Sequence, residues 1–286
     1  MQYPAGPITA LLIASKFTPQ LHGYYYTFWN LLALRFFVEL GLGTVIIQFA
    51  SHEWSKLRLD QDGYVVGEKE ALSWLISLTH IMVKWYFCGG AIVAVGLSIC
   101  GYFFFSRSAE VVNIAWFFPW LILCILTGVN ICLTPMWSIL EGCNQVTNIY
   151  TFRFFQGLFN SIVVCSAILL GGGLWVISIS VLVAIICSLL FFRFKYKNLF
   201  KSILFTNISG LRIGWKKEVF PMQWRLALSS ISGYFVFSLF TPVIFKFHGP
   251  VLAGRLEWPG VLSDLSGLYP RRGLFQKSLN LGCSLL

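Results

Sequence analysis

Residues 24–49 form a single apolar run of 26 residues that contains one arginine, Arg35, and one glutamate, Glu39. As an α-helix this run would be about 39 Å long, which exceeds the roughly 30 Å hydrocarbon core of a bilayer. A charged side chain at the centre of such a helix costs about 2.5 to 3.5 kcal/mol on insertion scales. The run is therefore predicted to span a membrane, with its two charges facing a bundle interior or a water-filled cavity.

The composition excludes an ordinary soluble protein. Of the 286 residues, 57% are hydrophobic and only 11% are charged, and the mean hydropathy is +0.74. A net charge of +10 would point to nucleic acid in a soluble chain, but here the cations sort into particular loops between apolar runs. The expected partner is the lipid bilayer, and no nucleic acid is expected.

Apolar runs predict an all-α membrane protein, a polytopic helical bundle of about seven transmembrane helices. The first run has 15 residues where roughly 20 are normally needed, so we expect its helix to begin upstream of Met1. The seven runs are residues 3–17, 24–49, 85–105, 114–135, 149–170, 174–192 and 223–247.

Four regions follow from these runs. Residues 1–192 are predicted to form an amino-terminal six-helix bundle, residues 193–222 a basic cytoplasmic linker, and residues 223–247 a seventh transmembrane helix. Residues 248–286 are a tail with prolines and glycines and no run long enough to span. Residues 68–84 are amphipathic and predict an interfacial helix with His80 at the surface; an extension of the third span is the alternative.

The distribution of cations predicts the orientation, because short cytoplasmic loops collect lysine and arginine. Residues 51–84 carry four such cations and residues 193–225 carry eight, whereas the alternate loops hold few. The amino terminus is therefore predicted to be cytoplasmic.

The charged pair is the first candidate site. Glu39 follows Arg35 by four positions, so both are expected on one side of a helix, where they can pair. The functional interpretation is a polar element lining a central cavity, and the alternative is a self-neutralised pair buried for packing. Gly41 and Gly43 behind the pair allow a close helix approach or a bend.

A polar stripe in the fifth span is the second candidate. Arg153, Gln156 and Asn160 recur at helical spacing in an otherwise apolar run and should face protein or water. Arg153 and Arg225 lie near the predicted cytoplasmic ends of their spans. Each could bind a substrate headgroup, and the alternative is that its side chain snorkels to the lipid headgroups. The candidate substrate-binding residues are thus Arg35, Glu39, Arg153, Gln156, Asn160 and Arg225.

Signals of an enzyme are weak. His52 and Glu53 resemble the start of a zinc-binding H-E-x-x-H, but Lys56 replaces the second histidine. No G-x-S-x-G nucleophile motif is present, and the eight cysteines contain no C-x-x-C pair. No catalytic residue, metal or cofactor is therefore predicted.

Six segments carry a recognisable pattern: GYYYTFWNLLAL, FFVELGLGTVIIQFASHEW, LTPMWSILEGCNQV, the start of the fifth span with Arg153, WKKEVFPMQWRLALSSISGYFVFSLFTPVIF and HGPVLAGRL. Together they resemble bacterial polysaccharide flippases of the O-antigen type, within the MOP exporter superfamily, and the resemblance covers residues 5–256. It implies a polyprenyl-pyrophosphate-linked oligosaccharide, moved from the cytoplasmic to the outer leaflet of the cell inner membrane by alternating access between two six-helix bundles. It also implies a polysaccharide polymerase or ligase as a further partner.

The chain departs from the family pattern after Leu256, where an eighth helix is expected but a tail rich in proline and glycine follows. A shift of reading frame there would explain the departure, leaving one six-helix bundle plus the first helix of the second. Two other functions stay open: a membrane-embedded polysaccharide polymerase or ligase, and a drug or small-molecule exporter of the same superfamily.

Overall fold

Helices long enough to cross a membrane dominate the structure, a computed structural model that describes residues 6–39, 41–106, 115–204, 224, 227–228 and 240–249. Four helices within these ranges are long and apolar enough to span a bilayer, and the number is five if a bent pair of shorter helices is counted as one span. The prediction of an all-α, polytopic membrane protein is confirmed. Of the predicted linker only residues 193–204 are described, and of the predicted tail only residues 248–249.

The described elements alternate long helices with short turns, and one two-stranded antiparallel hairpin joins the fourth helix to the fifth. Thr18 caps the second helix, because its Oγ1 accepts the Leu21 N–H at 3.3 Å. The elements are α1 Gly6–Lys16, α2 Pro19–Leu32, the 3₁₀ turn η1 Ala33–Arg35, α3 Phe36–Glu39, α4 Leu42–Trp54, β1 Leu57–Leu59, β2 Val65–Gly67, α5 Lys69–Ser106, α6 Phe117–Gly142, α7 Val146–Leu169, α8 Trp175–Lys195, α9 Lys197–Leu204 and α10 Phe240–His248.

Helix α5 is continuous over 38 residues, so residues 69–84 extend the third span instead of forming a separate helix. Leu75, Leu78 and Met82 on this extension are fully buried inside the protein. His80 is half-buried, and its Nε2 lies 2.8 Å from the Leu204 carbonyl oxygen of α9. His80 is therefore only partly exposed, because α9 contacts this side of α5.

Helices α5 and α6 cross at two glycines. A Cβ built on Gly90 would lie 2.6 Å from the Gly128 carbonyl oxygen, and one on Gly128 would lie 2.7 Å from the Gly90 carbonyl oxygen. Small residues at such crossings let two backbones approach closely, which favours helix association in lipid. Farther along α5, Gly101 leaves room for the Trp120 indole, which donates to the Leu97 carbonyl oxygen at 3.2 Å.

An aromatic cluster packs around the buried Trp120. Its ring centroid lies 4.8 Å from that of Phe28 on α2 and 5.5 Å from that of Phe105 on α5. Helix α10 adds Phe245, 5.0 Å from the ring of Tyr24. The end of the predicted seventh span therefore joins the core of the bundle, whereas most of residues 223–239 lie outside the described residues.

Contacts place the two basic segments at one end of the bundle. The Lys195 ammonium donates to Asn148 Oδ1 at 2.7 Å, and Asn198 Nδ2 donates to the Asp62 carbonyl oxygen at 2.7 Å. The end of α8, the start of α7 and the hairpin turn thus lie together. This arrangement agrees with the sorting of lysine and arginine, and the cytoplasmic assignment of that end stays a prediction.

The glycine crossing yields a stability prediction. Gly90→Ala should lower the thermal unfolding midpoint, because overpacking a tight contact costs about 1 to 3 kcal/mol. Gly96→Ala on the same helix is the control, since a Cβ there meets nothing within 4 Å and removing a mid-helix glycine should raise stability by roughly 0.5 to 1 kcal/mol. Midpoints measured in detergent by tryptophan fluorescence should move in opposite directions, and equal shifts would contradict the close crossing.

Candidate functional site

The second span is broken at the charged pair. Helix α2 ends at Leu32, a 3₁₀ turn covers Ala33–Arg35, and α3 adds only four residues. Gly41, with φ of 73°, starts α4, and the two helical arms meet at 45°. The expectation of one continuous helix over residues 24–49 is therefore corrected, and the bend occurs at one of the two glycines that allow it.

A break in a membrane-spanning helix has a physical consequence. Backbone groups without helical partners cannot be left facing lipid, so irregular backbone occurs in membranes only where protein covers it or a water-filled cavity solvates it. Gly43, two residues past the break, packs against α6, and a Cβ there would lie 3.3 Å from Ser138 Oγ. The break is thus held against the core helices of the bundle.

The charged pair lies at this break. Arg35 ends the 3₁₀ turn and Glu39 ends α3, and both side chains are half-buried. The Glu39 carboxylate is close enough to interact electrostatically with the Arg35 guanidinium and with Tyr86 on α5. The pair therefore belongs to the contact between α3 and α5.

Tyr86 is the residue of this site that the sequence reasoning missed. Its side chain is fully buried, and among the described residues its hydroxyl has no hydrogen-bond partner. Buried hydroxyls without a partner are rare, because an unpaired buried polar group costs about 1 to 3 kcal/mol. The one available signal was a tyrosine followed closely by a Gly-Gly pair within an apolar run.

Gly89 explains why α3 can approach Tyr86. A Cβ at Gly89 would collide with the Val38 side chain of α3. The next residue, Gly90, lies where α5 crosses α6. The two adjacent glycines thus bring α5 close to both α3 and α6 at neighbouring positions. The four residues Arg35, Glu39, Tyr86 and Gly89 define what we call the break site.

The polar stripe on α7 has partners inside the protein. Gln156 Nε2 donates to the Ala184 carbonyl oxygen at 2.8 Å and to Ser188 Oγ at 3.1 Å, both on α8. Asn160 Nδ2 donates to Ser180 Oγ at 2.9 Å. These bonds join α7 to α8, as polar side chains commonly do between membrane helices.

Arg153 lies over aromatic rings near the end of α6. Its guanidinium carbon is 5.1 Å from the Trp137 ring centroid and 5.9 Å from that of Tyr150, which are cation–π distances. Among the described residues, no hydrogen bond or ion pair joins Arg153, Gln156 or Asn160 to the break site. Arg225 lies outside the described residues, and a substrate role for all four of these side chains stays a prediction.

The described cysteines and acids show no sign of metal chemistry. Burial raises the pKa of the Cys143 thiol to about 12, so this side chain stays protonated. Within the incomplete zinc motif, His52 Nδ1 lies 2.8 Å from Glu53 Oε1, so the histidine and the carboxylate interact with each other. Within the described ranges, no group of three or more His, Cys, Asp or Glu side chains could hold a metal ion.

The break site therefore combines a cation, an acid and a buried hydroxyl beside interrupted backbone. A guanidinium can bind an anionic oxygen through two parallel hydrogen bonds, and the tyrosine hydroxyl can donate a further one. No protein-family model, curated protein or solved structure matches the chain.

The orphaned hydroxyl of Tyr86 yields a second prediction. Tyr86→Phe should leave the unfolding midpoint unchanged or raise it, because it removes a buried polar group without breaking a bond. Tyr196→Phe is the matched control, since Tyr196 is 4% exposed and its hydroxyl donates to Gln145 Oε1 at 3.1 Å. The control should lose about 1 kcal/mol, and a comparable loss in both variants would show that the Tyr86 hydroxyl is bonded.

The α7–α8 bonds yield a third prediction. Gln156→Leu should destabilise the protein by about 0.6 to 1.7 kcal/mol, the range found for hydrogen bonds between membrane helices. The same change at Gln48, which is exposed on α4, should have an effect below about 0.5 kcal/mol. Chemical unfolding in detergent would measure both, and an equal effect at the two positions would exclude a bonding role for Gln156.

Proposed function

We propose that this chain is a membrane transporter that moves a polyprenyl-pyrophosphate-linked oligosaccharide from the cytoplasmic to the outer leaflet of a bacterial inner membrane. The observation that carries the proposal is the break site, where a half-buried Arg35 and Glu39 meet the buried Tyr86 at an interrupted span. Discontinuous membrane helices are typical of the substrate sites of secondary transporters. The resemblance of six sequence segments to polysaccharide flippases supplies the substrate class.

The chemistry of the site supports an anionic, sugar-bearing substrate. A pyrophosphate carries the negative charge that an arginine binds in two-point fashion. In a site of low dielectric constant this attraction is stronger than in water. Glu39 keeps Arg35 neutralised while no substrate is bound, and a sugar hydroxyl can replace the missing partner of Tyr86.

Alternating access moves two units against each other around a site near the middle of the membrane. The described residues form one bundle, with the break site between α3 and α5. A polysaccharide polymerase or ligase is the proposed downstream partner. An amino terminus in the cytoplasm places the basic end of the bundle on the side where the substrate is made.

Transport can be tested with the full chain in proteoliposomes that hold the lipid-linked oligosaccharide. A membrane-impermeant glycosidase reports how fast the glycan reaches the outer face. Arg35→Gln should reduce the initial rate by about tenfold or more, because a charge-assisted hydrogen bond is worth roughly 1.5 to 3 kcal/mol. Glu39→Gln should also slow transport, whereas Arg35→Lys should retain part of the rate.

Matched controls distinguish an effect of the break site from an effect of the protein's total charge. Lys84→Gln and Glu70→Gln remove exposed charges from α5 and should leave the rate within about twofold of the wild type. Absence of flipping by the unchanged chain, or equal rates for Arg35→Gln and Lys84→Gln, would refute the proposal. Efflux of a cationic dye without movement of the oligosaccharide would identify the small-molecule exporter instead.

A further inference from the structure

A cavity of about 660 Å³ lies at the basic end of the bundle, where α8 ends and α9 begins. It is separate from the break site, since its walls come from the hairpin turn and from the junction of these two helices. Its lining residues are Asp62, Gly63, Arg193, Phe194, Lys195, Lys197 and Asn198. We call this cavity the elbow pocket.

The charges around the elbow pocket are mostly positive. Three cations, Arg193, Lys195 and Lys197, line it against a single carboxylate, Asp62. Lys195 is held in place, because its ammonium donates to Asn148 Oδ1 at 2.7 Å. Among the described residues, neither Arg193 nor Lys197 has a hydrogen-bond or ion-pair partner. Two cations are therefore available to a ligand.

The pocket is formed by elements that the fold brings together. Gly63, with φ of 80°, turns the hairpin, and Asn198 Nδ2 donates to the Asp62 carbonyl oxygen at 2.7 Å. Helix α9 is held against the rest of the protein by Leu199 and Ile203, which are buried. Segments more than 130 residues apart in the chain thus form opposite walls of one cavity.

The position of the pocket favours a lipid headgroup layer as its surroundings. Arg193 and Lys195 belong to the last turn of α8, a helix that qualifies as a membrane span. Phe194, between them in sequence, is 82% exposed. Cations beside an exposed aromatic ring are typical of the membrane–water boundary.

We propose that the elbow pocket binds a phosphate group, carried by a lipid headgroup or free in solution, through Arg193 and Lys197. The guanidinium supplies paired donors for two phosphate oxygens, and the ammonium adds a point charge. The cavity is far larger than one phosphate and leaves space for the rest of a headgroup. This inference does not depend on transport, and it assigns a ligand to a surface that the proposed function leaves unused.

The test counts ligands on the purified full chain by native mass spectrometry in detergent. The probes are dihexanoyl phosphatidic acid, dihexanoyl phosphatidylcholine and inorganic phosphate. The double change Arg193→Gln with Lys197→Gln should weaken phosphatidic acid binding by about tenfold or more. The reason is that each lysine or arginine near an anionic lipid surface strengthens binding by several-fold. The charge-retaining double change Arg193→Lys with Lys197→Arg should stay within about threefold of the wild type.

The matched control removes one exposed arginine and one exposed lysine from outside the pocket. Arg58 on β1 and Lys201 on α9 are exposed and do not line the pocket. Changing both to glutamine should alter phosphatidic acid binding by less than about twofold. Equal losses in the two double variants would show only a diffuse positive surface and would overturn the proposal, as would no loss in the pocket variant.

The probes also identify the source of the phosphate. Tighter binding of phosphatidic acid than of inorganic phosphate, with both weakened by the pocket variant, indicates a lipid headgroup. Comparable binding of the two, again weakened by the pocket variant, indicates free phosphate. Binding of phosphatidylcholine as tight as that of phosphatidic acid would overturn recognition by charge. Unfolding midpoints of all variants should agree within about 3 °C, because the changed side chains are exposed.

Discussion

The close crossing of α5 and α6 is the contact on which the rest of the described structure depends. Because Gly90 and Gly128 bring the two backbones together, Gly89 is placed at the same level and accepts Val38 of α3. Gly101 then admits the Trp120 indole, around which Phe28 and Phe105 pack. In lipid, where burying apolar side chains gives little advantage over exposing them, such backbone proximity is a main source of helix association.

The same crossing makes the broken span tolerable. A 3₁₀ turn and a four-residue helix would be unstable in hydrocarbon, since their free backbone groups would lack partners. Helix α3 packs against α5, which covers one side of the break with protein. The half-buried Glu39 interacts electrostatically with Arg35 there, which lowers the cost of placing either charge in an apolar segment.

Much of the architecture followed from the sequence because apolar runs and turn glycines are local signals. The runs at 114–135, 149–170 and 174–192 each correspond to a helix, and the turn at Gly171–Gly173 joins two of them with φ of 78° and 51° at its first and last residues. The break in the second span was less accessible, since Gly41 permits a bend or a close approach equally well. Tyr86 and His80 depended on which distant helix covers them, and a single sequence does not encode that in its periodicity.

The candidate site residues divide by the kind of partner they find. Gln156 Nε2 and Asn160 Nδ2 donate to α8 at short distances, whereas Asn160 Oδ1 is buried without a hydrogen-bond partner among the described residues. Tyr86 keeps an unpaired hydroxyl beside Glu39. Periodicity identified Gln156 and Asn160 and missed Tyr86, because a tyrosine in an apolar run does not stand out as a polar residue. An unpaired buried donor costs stability in the empty protein, so a bound ligand that accepts from it recovers that cost. The break site combines its unpaired donor with a half-buried cation and acid beside interrupted backbone, and this combination makes it a stronger candidate than the α7 stripe.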